Sequence, residues 1–226
     1  MDDSPAVVSL LEDRVAVVEL TTPVLSARVL GHLERALADL ASSATEHPVV
    51  LVSRHPSIYL AGADLGEIAR LDRTTSADYA ALGRLLVERL HRHPAATVAA
   101  VHGSCLGGGL DLALACDITV AGAGAVFGHP GARRGLVTGW GGTLLLATDA
   151  SRSLARRALI EAGVISSPDM VAAGLARRCG KDPVETALAL ARRLRRLHPL
   201  RLALWRSLKG GGFVDSFRTV VVHNQM

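Results

Sequence analysis

The sequence predicts a soluble α/β protein in which strand, strand and helix recur in that order. Aliphatic residues dominate: 49% of the chain is hydrophobic and only 3% aromatic, which suits Val- and Ile-rich strands packed against Ala- and Leu-rich helices. Short β-branched runs alternate with longer stretches whose apolar residues repeat at helical spacing. The segment at 101–120, Val-His-Gly-Ser-Cys-Leu-Gly-Gly-Gly-Leu-Asp-Leu-Ala-Leu-Ala-Cys-Asp-Ile-Thr-Val, joins a buried strand to a triple-glycine turn and an apolar helix. A repeated strand, strand, helix unit stacks as turns of a spiral rather than as a doubly wound sheet. With 226 residues, the chain reads as one core domain, 1–180, and a smaller helical region, 181–226.

Each element follows from a local signal. Alternating runs at 7–11 and 15–20 flank Glu12, Asp13 and Arg14 and read as a β-hairpin. A helix over 24–44 and a strand at 49–53 come next. The stretch 55–64 carries Pro56 and Gly62, which argue for an irregular loop, and Asp64 is placed to cap the following helix. Helical spacing at 77–92 ends before Pro94 and gives way to the β-branched run 97–102. After the glycine turn and its helix, 117–121 and 125–127 read as strands. A glycine-rich loop at 128–135 and a second glycine cluster at 138–143 follow, and helices fill most of 142–208.

Composition excludes several classes. No apolar run reaches the roughly 18 to 20 residues of a membrane span, and the acidic start predicts a cytoplasmic protein without a signal peptide. Cys105, Cys116 and Cys179 are odd in number and lack paired spacing, so reduced, packed thiols are expected rather than disulfides or a metal site. The net charge of +4 comes largely from arginines at 133–134, 152–157, 177–178 and 192–196. These lie on expected helix faces without interleaved aromatics, which favours a solvated or anion-steering surface over a nucleic-acid groove.

The glycine turn carries the chemistry. Glycine permits unusual backbone angles and close approach by a ligand, and a helix that begins at the glycines adds the positive end of its dipole. Bare N–H groups in such a turn suit an oxyanion. Ser104 and Cys105 precede the glycines, but neither sits in a nucleophile elbow and no ordered Ser/His/Asp triad is present, so a serine peptidase is not supported.

Leu-Ala-Gly-Ala-Asp-Leu at 60–65, Gly-Gly-Gly-Leu-Asp-Leu-Ala-Leu-Ala-Cys-Asp at 107–117, Phe-Gly-His-Pro at 127–130 and Gly-Gly-Thr at 141–143 together resemble the crotonase superfamily of enoyl-CoA hydratases and isomerases. The resemblance covers about residues 5–180. It implies the crotonase-like spiral of β-β-α units with a C-terminal helical region, and a thioester carbonyl held between the N–H groups of Ala63 and Gly108. Such donors are each worth about 2.7–4 kcal/mol to a developing enolate. It places Ala61, Asp64 and Leu65 near the CoA moiety. Many relatives carry Lys where this chain has Gly66, so an arginine elsewhere is left to meet the CoA phosphates.

The acid/base positions depart from the pattern. Hydratases of that superfamily carry glutamates where this chain has Asp111 and Gly131. Asp111 keeps a carboxylate with its reach shortened by about 1.5 Å, one C–C bond; it suits a base, and it equally suits a dipole partner at a helix start. Gly131 supplies no proton transfer, a contribution typically worth 10²–10⁴-fold, so two-glutamate hydration is not expected. His129, two residues earlier, is a candidate replacement because imidazole as a side-chain type suits proton shuttling, although a core role also fits it. Trp140 stands where relatives often carry a small residue; it either walls the acyl pocket or simply packs.

The resemblance therefore implies an acyl-CoA lyase or isomerase acting through an enolate, with Asp111 and His129 as acid/base candidates. No metal or redox cofactor is implied, and CoA enters as part of the substrate. Homotrimers or dimers of trimers are expected, with no nucleic-acid or membrane partner. The end at Met226 predicts a shortened lid over the site. The competing expectation is an acyl-CoA-binding or scaffold protein that kept the oxyanion turn and lost proton transfer.

Overall fold

The computed structural model describes residues 4–43, 46–147, 151–196 and 199–210. The expected shortening of a lid falls on 211–226, outside the described residues. The chain opens with an antiparallel hairpin, β1 (Ala6–Leu10) and β2 (Ala16–Leu20), and then winds as a spiral. Each turn lays one strand in a large sheet and the next in a small one. β4 (Val49–Ser53), β7 (Thr97–Val101) and β9 (Ile118–Ala121) lie in the large sheet, and β12 (Arg177–Arg178) ends it in the order β1-β2-β4-β7-β9-β12. Their successors β5 (Ile58–Leu60), β8 (Ser104–Leu106) and β10 (Val126–Gly128) form the small sheet with β11 (Val164–Ser166), in the order β11-β10-β8-β5. Two further strands, β3 (Val24–Leu25) and β6 (Gly62–Ala63), pair in parallel beside it.

The central strands β4 and β7 of the large sheet are covered on both faces, which explains their unbroken apolar sequences, whereas the edge strands β1 and β12 are largely exposed. Successive side chains point to opposite sides. Val49 and Leu51 of β4, with Ala99 and Val101 of β7, face the main core. Val50, Val52, Val98 and Ala100 face a second cluster closed by Ala187, Leu190 and Ala191 of α8 (Pro183–Leu194). On the main-core side lie α1 (Ala27–Ser42), α3 (Arg73–His91) and α4 (Gly108–Ala115). α1 buries Val29, Leu30, Leu33 and Leu37 as one stripe, whereas every residue of α4 is buried.

Several expectations are corrected. The helix expected over 24–44 begins at Ala27, because Val24 and Leu25 pair with β6 and the Ser26 side chain caps the helix by accepting from the Val29 N–H. The supposed loop at 55–64 contains β5 and β6; their partners, β8 and β3, lie far away in sequence, so Pro56 and Gly62 gave no local sign of them. Asp64 does cap α2 (Leu65–Ile68), accepting from the N–H groups of Gly66 and Glu67. The loop at 128–135 holds a 3₁₀ turn, Pro130–Arg134. The region 142–208 is interrupted twice: after α5 (Gly142–Leu146) and α6 (Arg152–Leu159), β11 precedes α7 (Ser167–Ala172), and β12 separates α7 from α8.

The last described helix, α9 (Pro199–Gly210), is tied to the sheet by Arg206 and by Trp205, whose Nε1 donates to the Asp117 carbonyl at 3.2 Å. Arg206 Nε and Nη2 donate to the two oxygens of the buried Asp117 carboxylate, each at 2.7 Å, and Nη1 donates to the His93 carbonyl at 2.6 Å. Asp117 Oδ2 also accepts from the Thr97 N–H at 2.8 Å, so the acid that ends the glycine-turn segment joins helix, strand and C-terminal region. Several of the clustered arginines are paired at the surface: Arg157 with Asp169 at 3.0 Å, Arg156 with Glu161 at 3.3 Å, and Arg192 with Asp13. Among the described residues, no helix is long and apolar enough to cross a membrane.

Candidate active site

The site is assembled at the ends of neighbouring parallel strands. β8 and β10 run in register, with Gly128 opposite Leu106, and the Gly107 N–H donates to the Gly128 carbonyl at 2.9 Å. The residues that follow each strand are thereby brought side by side. Past β8, Gly107 adopts φ 53°, which favours glycine, and α4 starts at Gly108. Gly108 is the first helical residue, so its N–H has no intrahelical acceptor.

The 60–65 segment meets this turn backbone to backbone. A Cβ on Gly62 would stand 2.9 Å from the Leu106 carbonyl oxygen and 3.3 Å from the Gly108 nitrogen, and Gly62 itself sits at φ 94°. Only glycine allows that approach. The Pro23 and Leu25 carbonyls take the N–H groups of Ala61 and Asp64, on either side of Gly62 and Ala63. Ala63 and Gly108 are thus neighbours across a glycine contact, although 45 positions separate them in the sequence. Ala61 is exposed, Asp64 is half-buried at its cap, and Leu65 is 46% exposed.

Asp111 lies in the first turn of α4 and is completely buried. Its Oδ2 accepts a hydrogen bond from the Thr138 hydroxyl, and its Oδ1 stands 3.3 Å from His129 Nε2. His129, the residue after β10, is 5% exposed. The two atoms face each other in the buried space, and neither has a hydrogen-bond partner. Gly142 completes the cradle. A Cβ there would lie 1.6 Å from Asp111 Oδ1, so any other residue would push the carboxylate aside. Gly131 lies inside the 3₁₀ turn, where a Cβ would stand 3.3 Å from Leu136 Cβ.

Trp140 is buried as a wedge between helices α3 and α4. A Cβ on Gly83 would meet its Nε1 at 2.1 Å, and one on Gly108 would meet its Cζ3 at 2.0 Å, so both helices present bare backbone to the indole. Tyr79 packs against it with ring centroids 6.0 Å apart, while its hydroxyl donates to the Leu25 carbonyl at 2.6 Å. The indole therefore lies directly beside Gly108.

Cys105 is buried next to this cluster. Burial first, and the neighbouring Asp111 charge second, push its thiol well above the usual range, so it stays protonated and is a poor nucleophile. Ser104 is half-buried in β8. Sequence reasoning missed Thr138 and Gly142, since nothing local links either to an acid about thirty residues earlier. It also missed Arg70, whose Nη2 lies 4.0 Å from where a Gly66 Cβ would stand.

The sequence model of enoyl-CoA hydratase/isomerase matches residues 11–207. The chain belongs to the enoyl-CoA hydratase/isomerase family. This family member is 34% identical over 151 residues to the mitochondrial methylglutaconyl-CoA hydratase of Mus musculus, covering 67% of this chain and 48% of that protein. It is 32% identical over 204 residues to a probable enoyl-CoA hydratase of Bacillus subtilis, covering 87% and 79% of the two chains. The chain spans about half the length of the mammalian relatives it matches. Its fold superposes on Pseudomonas aeruginosa DspI with a TM-score of 0.85 at 24% identity, over 98% of this chain and 86% of that one. An enoyl-CoA hydratase subunit of Geobacillus kaustophilus gives a TM-score of 0.81 at 28% identity, over 93% and 82%. The spiral read from the residue pattern is the crotonase fold of these structures.

Proposed function

We propose that this protein acts on acyl-CoA thioesters by forming an enolate, with Ala63 and Gly108 N–H groups holding the thioester oxygen and Asp111 and His129 moving the proton. The observation that carries the reading is the buried contact of Asp111 with His129 beside the Gly62–Gly108 approach. In the forward step the Asp111 carboxylate takes the proton from the α-carbon. The C–H pair becomes the enolate double bond, and the negative charge moves to the oxygen between the two N–H groups. His129, at 3.3 Å, stabilises or relays that proton: its return to the same carbon is α-proton exchange, its delivery to the γ-carbon of an unsaturated chain is an isomerase outcome, and departure of a β-substituent with its bonding pair as the enolate collapses is a lyase outcome. Gly131 has no group to join in, so two-glutamate hydration is not the reaction we assign.

Arg70 supports the CoA assignment by placing a cation beside Gly66, and Ala61, Asp64 and Leu65 line the same edge. The Trp140 indole, set against Gly108, would shorten the acyl group accepted. CoA enters with the substrate and no metal or redox group is assigned. We place the protein in the cytoplasm, as a homotrimer or dimer of trimers; the exposed apolar side chains Val137, Ile160 and Val164 favour such contacts.

A second reading, a binding or scaffold protein, is favoured by the full burial of Asp111. Incubation with a panel of short acyl-CoA and enoyl-CoA thioesters in D₂O separates the two. Deuterium at the α-carbon with the wild type, lost in Asp111→Ala while acyl-CoA still binds, is the expected result. Binding without exchange across the whole panel would leave only the scaffold.

A further inference from the structure

We propose that Thr138 is a positioning residue for proton transfer: its hydroxyl holds Asp111 Oδ2 so that Oδ1 is the oxygen presented to His129 and substrate. This rests on the enolate reading above and adds a residue outside both glutamate positions. The Asp111 carboxylate is buried and turns about a soft, roughly two-fold torsion, so its aim must be set by partners. Thr138 supplies the hydrogen bond to Oδ2, while Oδ1 has no hydrogen-bond donor and faces His129 Nε2 at 3.3 Å. The bare Cα of Gly142 leaves room for that oxygen and makes no directional bond with it.

The Thr138 hydroxyl is itself oriented. Its single proton goes to Asp111, and its oxygen accepts from the Trp140 N–H at 3.4 Å. One side chain therefore joins the loop that carries the indole to the carboxylate it overlooks. A hydroxyl bond to a charged acceptor is among the stronger hydrogen bonds, and its loss leaves Oδ2 buried without a donor.

The test compares Thr138→Val, which removes the donor at similar volume, with Thr138→Ser, which keeps it. Steady-state α-proton exchange of a short acyl-CoA in D₂O is measured alongside binding of the same thioester by calorimetry. Thr138→Val is expected to lower kcat roughly 10- to 100-fold with KM and Kd changed less than about 2-fold, and Thr138→Ser to recover most of the rate. A purely structural role would instead lower thermal stability and affinity together, without rescue by serine. If Thr138→Val does not fold, Thr138→Ala removes the same donor without a buried methyl pair. Wild-type exchange lost in Asp111→Asn but unchanged in Thr138→Val would overturn this inference alone. Absence of exchange in the wild type would overturn it together with the enolate reading.

Discussion

His129 Nε2 stands 3.3 Å from Asp111 Oδ1, with both side chains shielded from solvent. The contact arises because β8 and β10 end in register, so the residue after one strand meets the first helical turn after the other. Replacing His129 by Gln keeps a side-chain amide near Asp111 and removes the imidazole. The expected outcome is a loss of proton exchange of about 10²-fold or more with acyl-CoA binding retained. Exchange at the wild-type rate would show that His129 only packs.

Trp140 fills the space between Gly83 and Gly108 and is 4% exposed. Trp140→Ala is expected to cost about 3–5 kcal/mol in urea unfolding, as other large-to-small core changes do. The same variant is expected to accept longer acyl chains, read as a rise in kcat/KM for an eight-carbon over a four-carbon thioester. A cost near zero would mean that the indole is not a packing wedge, and an unchanged chain-length ratio would mean that it does not border the acyl group.

His93 is almost fully buried, and desolvation is the main cause that holds its imidazole below the ordinary value of 6.5. The unfolded chain then binds this proton more readily than the folded one. Its share of stability is complete above pH 6.5 and is lost as pH falls from 6.5 toward the lower folded value, by at most about 1.4 kcal/mol per pH unit. Chemical denaturation at pH 7.5, 6.5 and 5.5 should show a steeper acid loss for the wild type than for His93→Asn. Parallel curves for the two proteins would show that His93 does not contribute.

The amino-acid sequence by itself determined the hairpin, the buried parallel strands, the helix at 73–91 to within a turn, and the glycine turn. In each case the cause is local: β-branched runs, helical spacing, a capping Asp64 and the freedom of glycine act within a few residues. The blocks at 60–65, 107–117, 127–130 and 141–143 also determined the family, since their order along the chain survives without any knowledge of contacts. Tertiary structure decided what local signals do not encode. The strands β5, β6 and β8 are short and gain their bonds from distant partners. Which carboxylate meets which imidazole depends on the registry of two parallel strands, and the fit of Asp111 over Gly142 or Trp140 over Gly108 depends on atoms meeting across the core. Side-chain chemistry could be nominated residue by residue, but the grouping of Asp111, His129 and Thr138 is a property of packing, where distance along the chain has no bearing on distance in space.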